Sequence, residues 1–174
     1  MIDTMYTDGA CLFTDSKELS IGCCGYLHND ILFVDKITIN TKSSEMEFKA
    51  VFLALNMVKR DTIIYTDCHQ VIHVLTMQHA KINSHLQAKT KNLYMELIKQ
   101  FKIEIQWVKS HSNCVENNLV DSAIEQQMIK HIAKLPKHLK EQIHLIAWNK
   151  YQIKGAFESF SEDFFEELFA VCKV

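Results

Sequence analysis

Five stretches of the chain have the length and β-prone composition of strands. They are residues 2–7, 20–27, 31–39, 62–66 and 102–110. The tripeptide "HND" between the second and third stretches suits a hairpin turn, and the last stretch alternates apolar and polar residues like a half-buried strand. The first three stretches are therefore predicted to form a hairpin-connected group.

Helical spacing of apolar residues occurs in four segments, residues 43–59, 69–79, 85–100 and 117–133. The first of these opens on serine and is apolar nearly all round, so it should be largely buried. The order β-β-β-α-β-α-α-β-α predicts an α/β fold in which helices cover the faces of a mixed sheet. Because crossover connections are right-handed, strand 62–66 should lie beside the first strand and parallel to it.

After Pro136, the only proline, the sequence has only helical patterns and no further β-prone runs. Residues 136–152 have a helical pattern, and residues 157–174 resemble an acidic amphipathic helix with an apolar stripe. The stripe consists of Phe157, Phe160, Phe164, Phe165, Leu168 and Phe169. Such a stripe is usually core, and a groove for a protein partner or a homodimer is the alternative. We predict one domain over residues 1–133 and a helical extension over 134–174.

The triplet Tyr-Thr-Asp occurs twice, at residues 6–8 and 65–67, each time after a β-prone run. If these two strands are parallel neighbours, Asp8 and Asp67 lie side by side at the carboxyl edge of the sheet. Adjacent strands are about 4.8 Å apart, so the two carboxylates repel unless a cation lies between them. The same edge is where open α/β sheets place their sites.

Two more acids have competing interpretations. Glu47 lies in the first turn of the predicted helix and can face the sheet, but Ser44-x-x-Glu47 also fits a capping box, which spacing alone favours. Asp121 follows the loop that carries His111. Considered separately, Asp121 is more often a charge at a helix start and His111 an exposed loop histidine.

The four acids gain meaning when they are considered together. Asp8, Glu47, Asp67 and Asp121 each lie at an element boundary that can face one sheet edge. Such convergence without arginines would be costly to ionise, and hard divalent cations such as Mg²⁺ remove that cost. A pair of such cations can catalyse phosphoryl transfer, because one activates water and the other stabilises the leaving oxygen.

Four motifs carry a family resemblance. They are "YTDGA" at 6–10, "SEMEFKAVFLAL" at 44–55, "IIYTDCHQV" at 63–71 and "WVKSHSNCVENNLVD" at 107–121. In this order and spacing the chain resembles the type-one ribonuclease H family, over roughly residues 1–130. The resemblance implies a five-stranded sheet of order 3-2-1-4-5. It also implies an endonuclease that hydrolyses the RNA strand of RNA–DNA hybrids, leaving 5′-phosphate and 3′-hydroxyl ends.

The resemblance also implies roles for individual residues. Two Mg²⁺ ions, replaceable by Mn²⁺, would be held by the four acids. Asp8 would be shared by both ions, Asp121 would bind the water-activating ion, and Glu47 and Asp67 would bind the leaving-group ion. His111 is similar to a mobile-loop histidine that assists water delivery or product release. The implied contacts with the hybrid are Gly9, Ser43, Ser44 and Asn117.

The chain departs from the family pattern where nucleic acid would approach. "CLFTDSKELS" stands in place of a Gly-rich turn, Glu45 precedes the helix glutamate, and Ser110 replaces a loop glycine. Residues 79–86 are too short for a basic protrusion that grips hybrid in some members. Residues 80–110 carry six lysines against two glutamates, a local net charge of +4. We therefore expect weak, strongly salt-dependent hybrid binding.

Composition leaves few other classes open. The net charge of −2 argues against a strongly electrostatic nucleic-acid binder, and six cysteines without CxxC spacing favour reduced thiols in the cytoplasm. No apolar run approaches the roughly 18 residues of a membrane helix. A superfamily nuclease acting on DNA, or a binding module with weak or no catalysis, remains an alternative. A zinc site at Cys68, His69 and His73 or at His111-x-x-Cys114 lacks a full ligand set.

Overall fold

The computed structural model describes residues 2–12, 19–151 and 160–173. Within these residues the chain forms six strands and six helices. It divides into two compact units, Met1–Ile124 and Glu125–Val174, which are described separately. The predicted domain boundary at residue 133 stays a prediction. In the described part of the chain, no helix combines the length and apolar character needed to cross a membrane.

One mixed sheet organises the first unit. Its strands are β1 (Asp3–Leu12), β2 (Ile21–His28), β3 (Ile31–Val34), β4 (Thr38–Ile39), β5 (Thr62–Thr66) and β6 (Ile103–Trp107). They follow the order β3-β2-β1-β5-β6, and β4 also pairs with β2. β2 is antiparallel to β1, β3 and β4, whereas β5 is parallel to both β1 and β6. The predicted α/β fold and strand order are confirmed.

The predicted third strand, residues 31–39, is divided into β3 and β4 rather than continuous. Helix α1 (Ser43–Leu55) contributes the side chain that spans the break. The ammonium group of Lys49 lies 2.8 Å from the Asp35 carboxylate and donates to the Thr38 hydroxyl at 2.9 Å. These two contacts hold the chain on both sides of the interruption.

The other helices form where the apolar spacing predicts them. They are α2 (His69–Thr76), α3 (His85–Leu97), α4 (Val115–Ala133), α5 (Lys137–Tyr151) and α6 (Glu162–Cys172). Helix α1 supplies much of the core of the first unit, since Phe48, Val51 and Leu55 are fully buried together with Met5 of β1 and Ile64 of β5. The prediction that α1 is largely buried is confirmed.

The two Tyr-Thr-Asp triplets lie in register on neighbouring parallel strands. Tyr6 pairs with Tyr65 and Thr7 with Thr66, and the parallel ladder ends there. The two tyrosine rings stack with centroids 4.8 Å apart. β1 itself continues to Leu12 by pairing with β2. The predicted end of this strand at residue 7 is therefore wrong, although it marks correctly where β1 and β5 separate.

The second unit contains part of the apolar stripe as a packed core. Phe164, Phe165 and Leu168 of α6 are buried, and the Phe160 ring stacks on that of Phe164 at 4.6 Å. The core interpretation of these positions is confirmed, whereas Phe157 lies outside the described residues. Phe169 lines an open cavity of about 520 Å³ together with His144 and Trp148. A partner surface on this helix stays a prediction.

A buried carboxylate fixes the start of α6. The Ser161 hydroxyl accepts a hydrogen bond from the Phe164 amide at 3.1 Å, which caps the helix. Glu125 in turn accepts hydrogen bonds from the Ser161 amide at 2.7 Å and from its hydroxyl at 2.8 Å. The buried charge of Glu125 is thus compensated within the second unit.

Candidate active site

Gly9 allows α1 to approach β1 closely enough to bring Glu47 beside Asp8. A side chain at this position would overlap the backbone of Met46 and Glu47. Glycine is therefore required for the first turns of α1 to cross the strand here. Because Gly9 directly follows Asp8, this crossing places a helix carboxylate next to a strand carboxylate.

Three of the predicted acids come together at this crossing. Asp8, Glu47 and Asp67 each place a carboxylate oxygen within 4.8 Å of those of the other two. Asp8 Oδ1 accepts a hydrogen bond from the Gly9 amide at 2.6 Å. Glu47 Oε2 and Asp67 Oδ1 are buried and have no hydrogen-bond partner among the described residues. Buried acceptors without donors are rare, and a bound cation or a proton shared between the carboxylates would satisfy them.

The electrostatics of the cluster lead to the same conclusion. Burial raises the pKa of Glu47 well above its ordinary value of 4.5, and repulsion by Asp8 and Asp67 raises it further. Burial also raises the pKa of Asp67 from 3.8, although a hydrogen bond from the Ser110 hydroxyl partly offsets this. Protonation or a bound cation would relieve the repulsion.

The capping-box interpretation of Glu47 is wrong. Helix α1 begins at Ser43 with Lys42 as its N-cap, and no side chain caps it. Ser44 therefore lies inside the first turn, two residues after the N-cap, and cannot form a capping box with Glu47. The Glu47 side chain is left available for the acidic cluster.

Asp121 lies beside the cluster rather than in the group of three. It is buried in α4, and its Oδ2 is 3.3 Å from Nδ1 of His111. Its charge nevertheless contributes to the raised pKa of Glu47. Asp121 is therefore not a solvated charge at a helix start. His111 is exposed as expected for a loop residue, yet its ring is held by Asp121.

The loop before α4 contains a contact that sequence reasoning missed. The Ser110 hydroxyl bonds to Asp67, and the next residue, His111, contacts Asp121. Consecutive loop residues thus hold two of the acids. His111 has a positive φ of 46°, an uncommon conformation for a non-glycine residue. The available signal was the position of Ser110 next to His111, which does not by itself identify Asp67 as the partner.

A tryptophan fixes the backbone on the other side of Asp67. The Trp107 Nε1–H donates to the Asp67 carbonyl oxygen at 3.1 Å. The His69 ring stacks on Trp107 with centroids 4.9 Å apart. Among the described residues, the group of potential ligands that converges is the three carboxylates. The two zinc groupings therefore find no support.

The predicted hybrid-contacting residues differ in accessibility. Ser43 and Ser44 are partly exposed at the start of α1, whereas Gly9 is buried under that helix. Asn117 is only 1% exposed, and its Oδ1 has no hydrogen-bond partner in the described part of the chain. The side-chain amide of the neighbouring Asn118 donates to the Ser112 carbonyl oxygen at 2.7 Å, which ties the start of α4 to the loop before it. The substrate contacts themselves stay predictions.

The family assignment rests on the match of a family model as well as on this geometry. The model described as RNase H matches residues 2–129, which is well over half of the chain and includes all four acids. The matched range contains the complete sheet and ends within α4. The chain therefore belongs to the RNase H family.

Proposed function

We propose that this ribonuclease H is a Mg²⁺-dependent endonuclease whose cations are held by Asp8, Glu47 and Asp67 together with Asp121. It cleaves the RNA strand of RNA–DNA hybrids and leaves 5′-phosphate and 3′-hydroxyl ends. The family match supports hydrolysis of RNA in hybrids. The metal and the product ends are the further steps of the proposal.

The observation that carries the proposal is the set of converging carboxylates. Their closest oxygens lie within 4.8 Å of one another, and two buried oxygens have no donor among the described residues. All ligand atoms are hard oxygens, which suit Mg²⁺ and Mn²⁺. The donor set therefore fits divalent cations, and two of them would balance the charge of four ionised acids.

When bound, such cations activate a water molecule and stabilise the charge on the leaving oxygen. The protein supplies the rigid positions. β1 and β5 fix Asp8 and Asp67 in adjacent registers, and the close approach at Gly9 fixes Glu47. The hydrogen bond from Trp107 to the Asp67 carbonyl oxygen holds the strand end that carries this carboxylate.

His111 presents a ring nitrogen to solvent. Its Nδ1 faces Asp121, which leaves Nε2 available on an exposed ring. A ring nitrogen in this position can hydrogen-bond to a water molecule beside the reacting phosphate. The contact with Asp121 sets the orientation of the ring.

Substrate choice requires recognition of the RNA strand. The 2′-hydroxyl groups distinguish RNA from DNA, and partly exposed Ser43 and Ser44 offer hydroxyl groups at the start of α1. Residues 80–110 carry six lysines and two glutamates, a local net charge of +4 that can face phosphates. We expect this surface to bind hybrid weakly and with a steep dependence on salt.

The decisive experiment is cleavage of a matched panel of one sequence as hybrid, duplex RNA, duplex DNA and single strands. Each substrate is incubated with Mg²⁺, with Mn²⁺ or with EDTA, and the product ends are tested with a 5′-phosphate-dependent exonuclease. We expect metal-dependent cleavage of the hybrid RNA strand. Cleavage of duplex DNA without cleavage of hybrid would contradict the proposed substrate, and cleavage in EDTA would contradict the proposed metal.

A further inference from the structure

β3 is an edge strand with an unusually apolar surface. It pairs with β2 on one side, and no described strand pairs with its other side. Ile31 is 72% exposed, Leu32 is 42% exposed and Phe33 is 39% exposed. These side chains point to alternate faces of the sheet, so both faces of the edge are apolar. Proteins usually protect such edges, because an exposed edge strand pairs readily with a strand of another chain.

The hairpin geometry determines which backbone groups this edge presents. Asn29 and Asp30 form a two-residue turn with φ values of 48° and 62°, which makes His28 and Ile31 a hydrogen-bonded pair. Pairs of this kind alternate along an antiparallel ladder, so the peptide groups of Phe33 also face β2. The N–H and C=O groups of Leu32 and Val34 therefore point away from the sheet.

The charges that flank β3 select one pairing. Asp30, which precedes the strand, and Lys36, which follows it, are both exposed. If a second copy pairs antiparallel about an axis through Phe33, Leu32 lies opposite Val34 of the other copy. Asp30, in the turn before the strand, is then brought near Lys36 of the other copy. Axes through Leu32 or Val34 would instead place Asp30 opposite Val34 or Thr38. The register centred on Phe33 therefore satisfies both the outward peptide groups and the charges.

We propose that β3 is a docking surface for a second copy of this chain, which extends the sheet across a two-fold axis at Phe33. The Phe33 ring already stacks on Tyr26 with centroids 5.1 Å apart. At the axis the two Phe33 residues form a non-hydrogen-bonded pair, in which side chains are closest. Aromatic pairs in this position stabilise antiparallel strands. The short strand makes the dimer weak and dependent on concentration.

Sedimentation velocity of the full chain over a wide concentration range measures the association. Lys36→Glu places a carboxylate opposite Asp30 at both ends of the interface, and should weaken association about tenfold. Lys99→Glu makes the same charge change on an exposed residue elsewhere in the first unit, and should leave association unchanged. A chain that stays monomeric at all concentrations, or equal effects of the two variants, would overturn the proposal.

Amide hydrogen exchange tests the register independently of any variant. The amides of Leu32 and Val34 should exchange quickly in dilute protein and slow down as concentration rises. The amides of Ile31 and Phe33 bond to β2 and should be protected throughout. Association without slower exchange at Leu32 and Val34 would mean that another surface, such as the one near Phe169, carries the contact.

Discussion

Asp8 is placed next to both other acids of the cluster by two features of the fold. β1 sets it beside Asp67, and the close approach at Gly9 sets it beside Glu47. Its replacement by asparagine removes a proposed cation ligand and part of the repulsion that raises the pKa of Glu47. We expect Asp8→Asn to abolish hybrid cleavage while thermal stability in EDTA is unchanged or higher.

The same variant should lose its response to Mg²⁺. A ligand that binds the folded state alone raises the melting temperature, so wild-type protein should be stabilised as Mg²⁺ is added and Asp8→Asn should not. Calorimetry of both proteins with Mg²⁺ and with EDTA measures this difference. Wild-type cleavage by Asp8→Asn, or equal stabilisation of both proteins, would contradict the site assignment.

Glu47 should make metal-free stability depend on pH. Its pKa is raised in the folded state from the ordinary value of 4.5, so folding favours the protonated form. The resulting stabilisation is complete below the unfolded pKa and is lost as pH rises through the folded pKa. In EDTA, the melting temperature of wild-type protein should therefore fall with rising pH more steeply than that of Glu47→Gln.

Thermal melts of the two proteins across the acidic and neutral range test this slope. Asp67 contributes in the same direction, because its pKa is also raised, and it should leave a smaller slope in the variant. Mg²⁺ should suppress the decline in wild-type protein by favouring the ionised carboxylates. Parallel melting curves for wild-type protein and Glu47→Gln in EDTA would show that Glu47 titrates normally.

At the level of elements, the crossing of β1 and α1 places the site. Gly9→Ala introduces a methyl group that overlaps helix backbone, which cannot move without displacing Glu47. We expect a loss of stability of about 1–3 kcal/mol and weaker stabilisation by Mg²⁺. Gly22→Ala is the comparison, since its methyl group meets only the side chains of Thr41 and Met46.

Chemical denaturation of both glycine variants, with and without Mg²⁺, separates the two effects. Gly22→Ala should be less destabilised and should keep the full Mg²⁺ response, because flexible side chains can adjust. If Gly9→Ala bound Mg²⁺ as wild-type protein does, the close approach of α1 would not be what positions Glu47.

The elements predicted best from the sequence are those whose bounds follow from the apolar pattern of their own residues. Strand 62–66 has its predicted bounds, because its apolar run is short and ends where β5 leaves β1. β1 extends beyond its predicted end because pairing with β2 continues through Asp8. The break between β3 and β4 depends on Lys49, a contact from a different element. Periodicity reports burial, whereas strand ends also depend on partners that are distant in sequence.

In the candidate site, too, some features could be predicted from the sequence, whereas others depend on contacts between residues that are distant in sequence. The convergence of Asp8, Glu47 and Asp67 was predictable because strand order brings their elements to one edge. The hydrogen bond from Ser110 to Asp67 was not predictable, since it depends on the path of a loop with a positive φ at His111. The capping-box error arose from a helix start that lies two residues earlier than the motif requires.

For the whole molecule, charge distribution matters more than net charge. The chain carries a net charge of −2, yet residues 80–110 carry six lysines against two glutamates. Hybrid binding through this surface releases counterions, so affinity should fall steeply as salt rises. Asp8→Asn, which we expect not to cleave, allows this affinity to be measured without turnover, by anisotropy of a labelled hybrid over a range of salt concentrations.

Lys109→Gln in the Asp8→Asn background should weaken hybrid binding and reduce the slope of log affinity against log salt by about one. Lys109 is exposed and lies two residues before His111, so we expect it to contact a phosphate of the hybrid near the acids. Lys59→Gln removes the same charge from an exposed position outside residues 80–110, and should leave the slope unchanged. Equal slopes for the two variants would mean that overall charge, rather than this surface, governs the encounter. Tight binding of the parent at physiological salt would contradict the weak grip expected from the short segment 79–86.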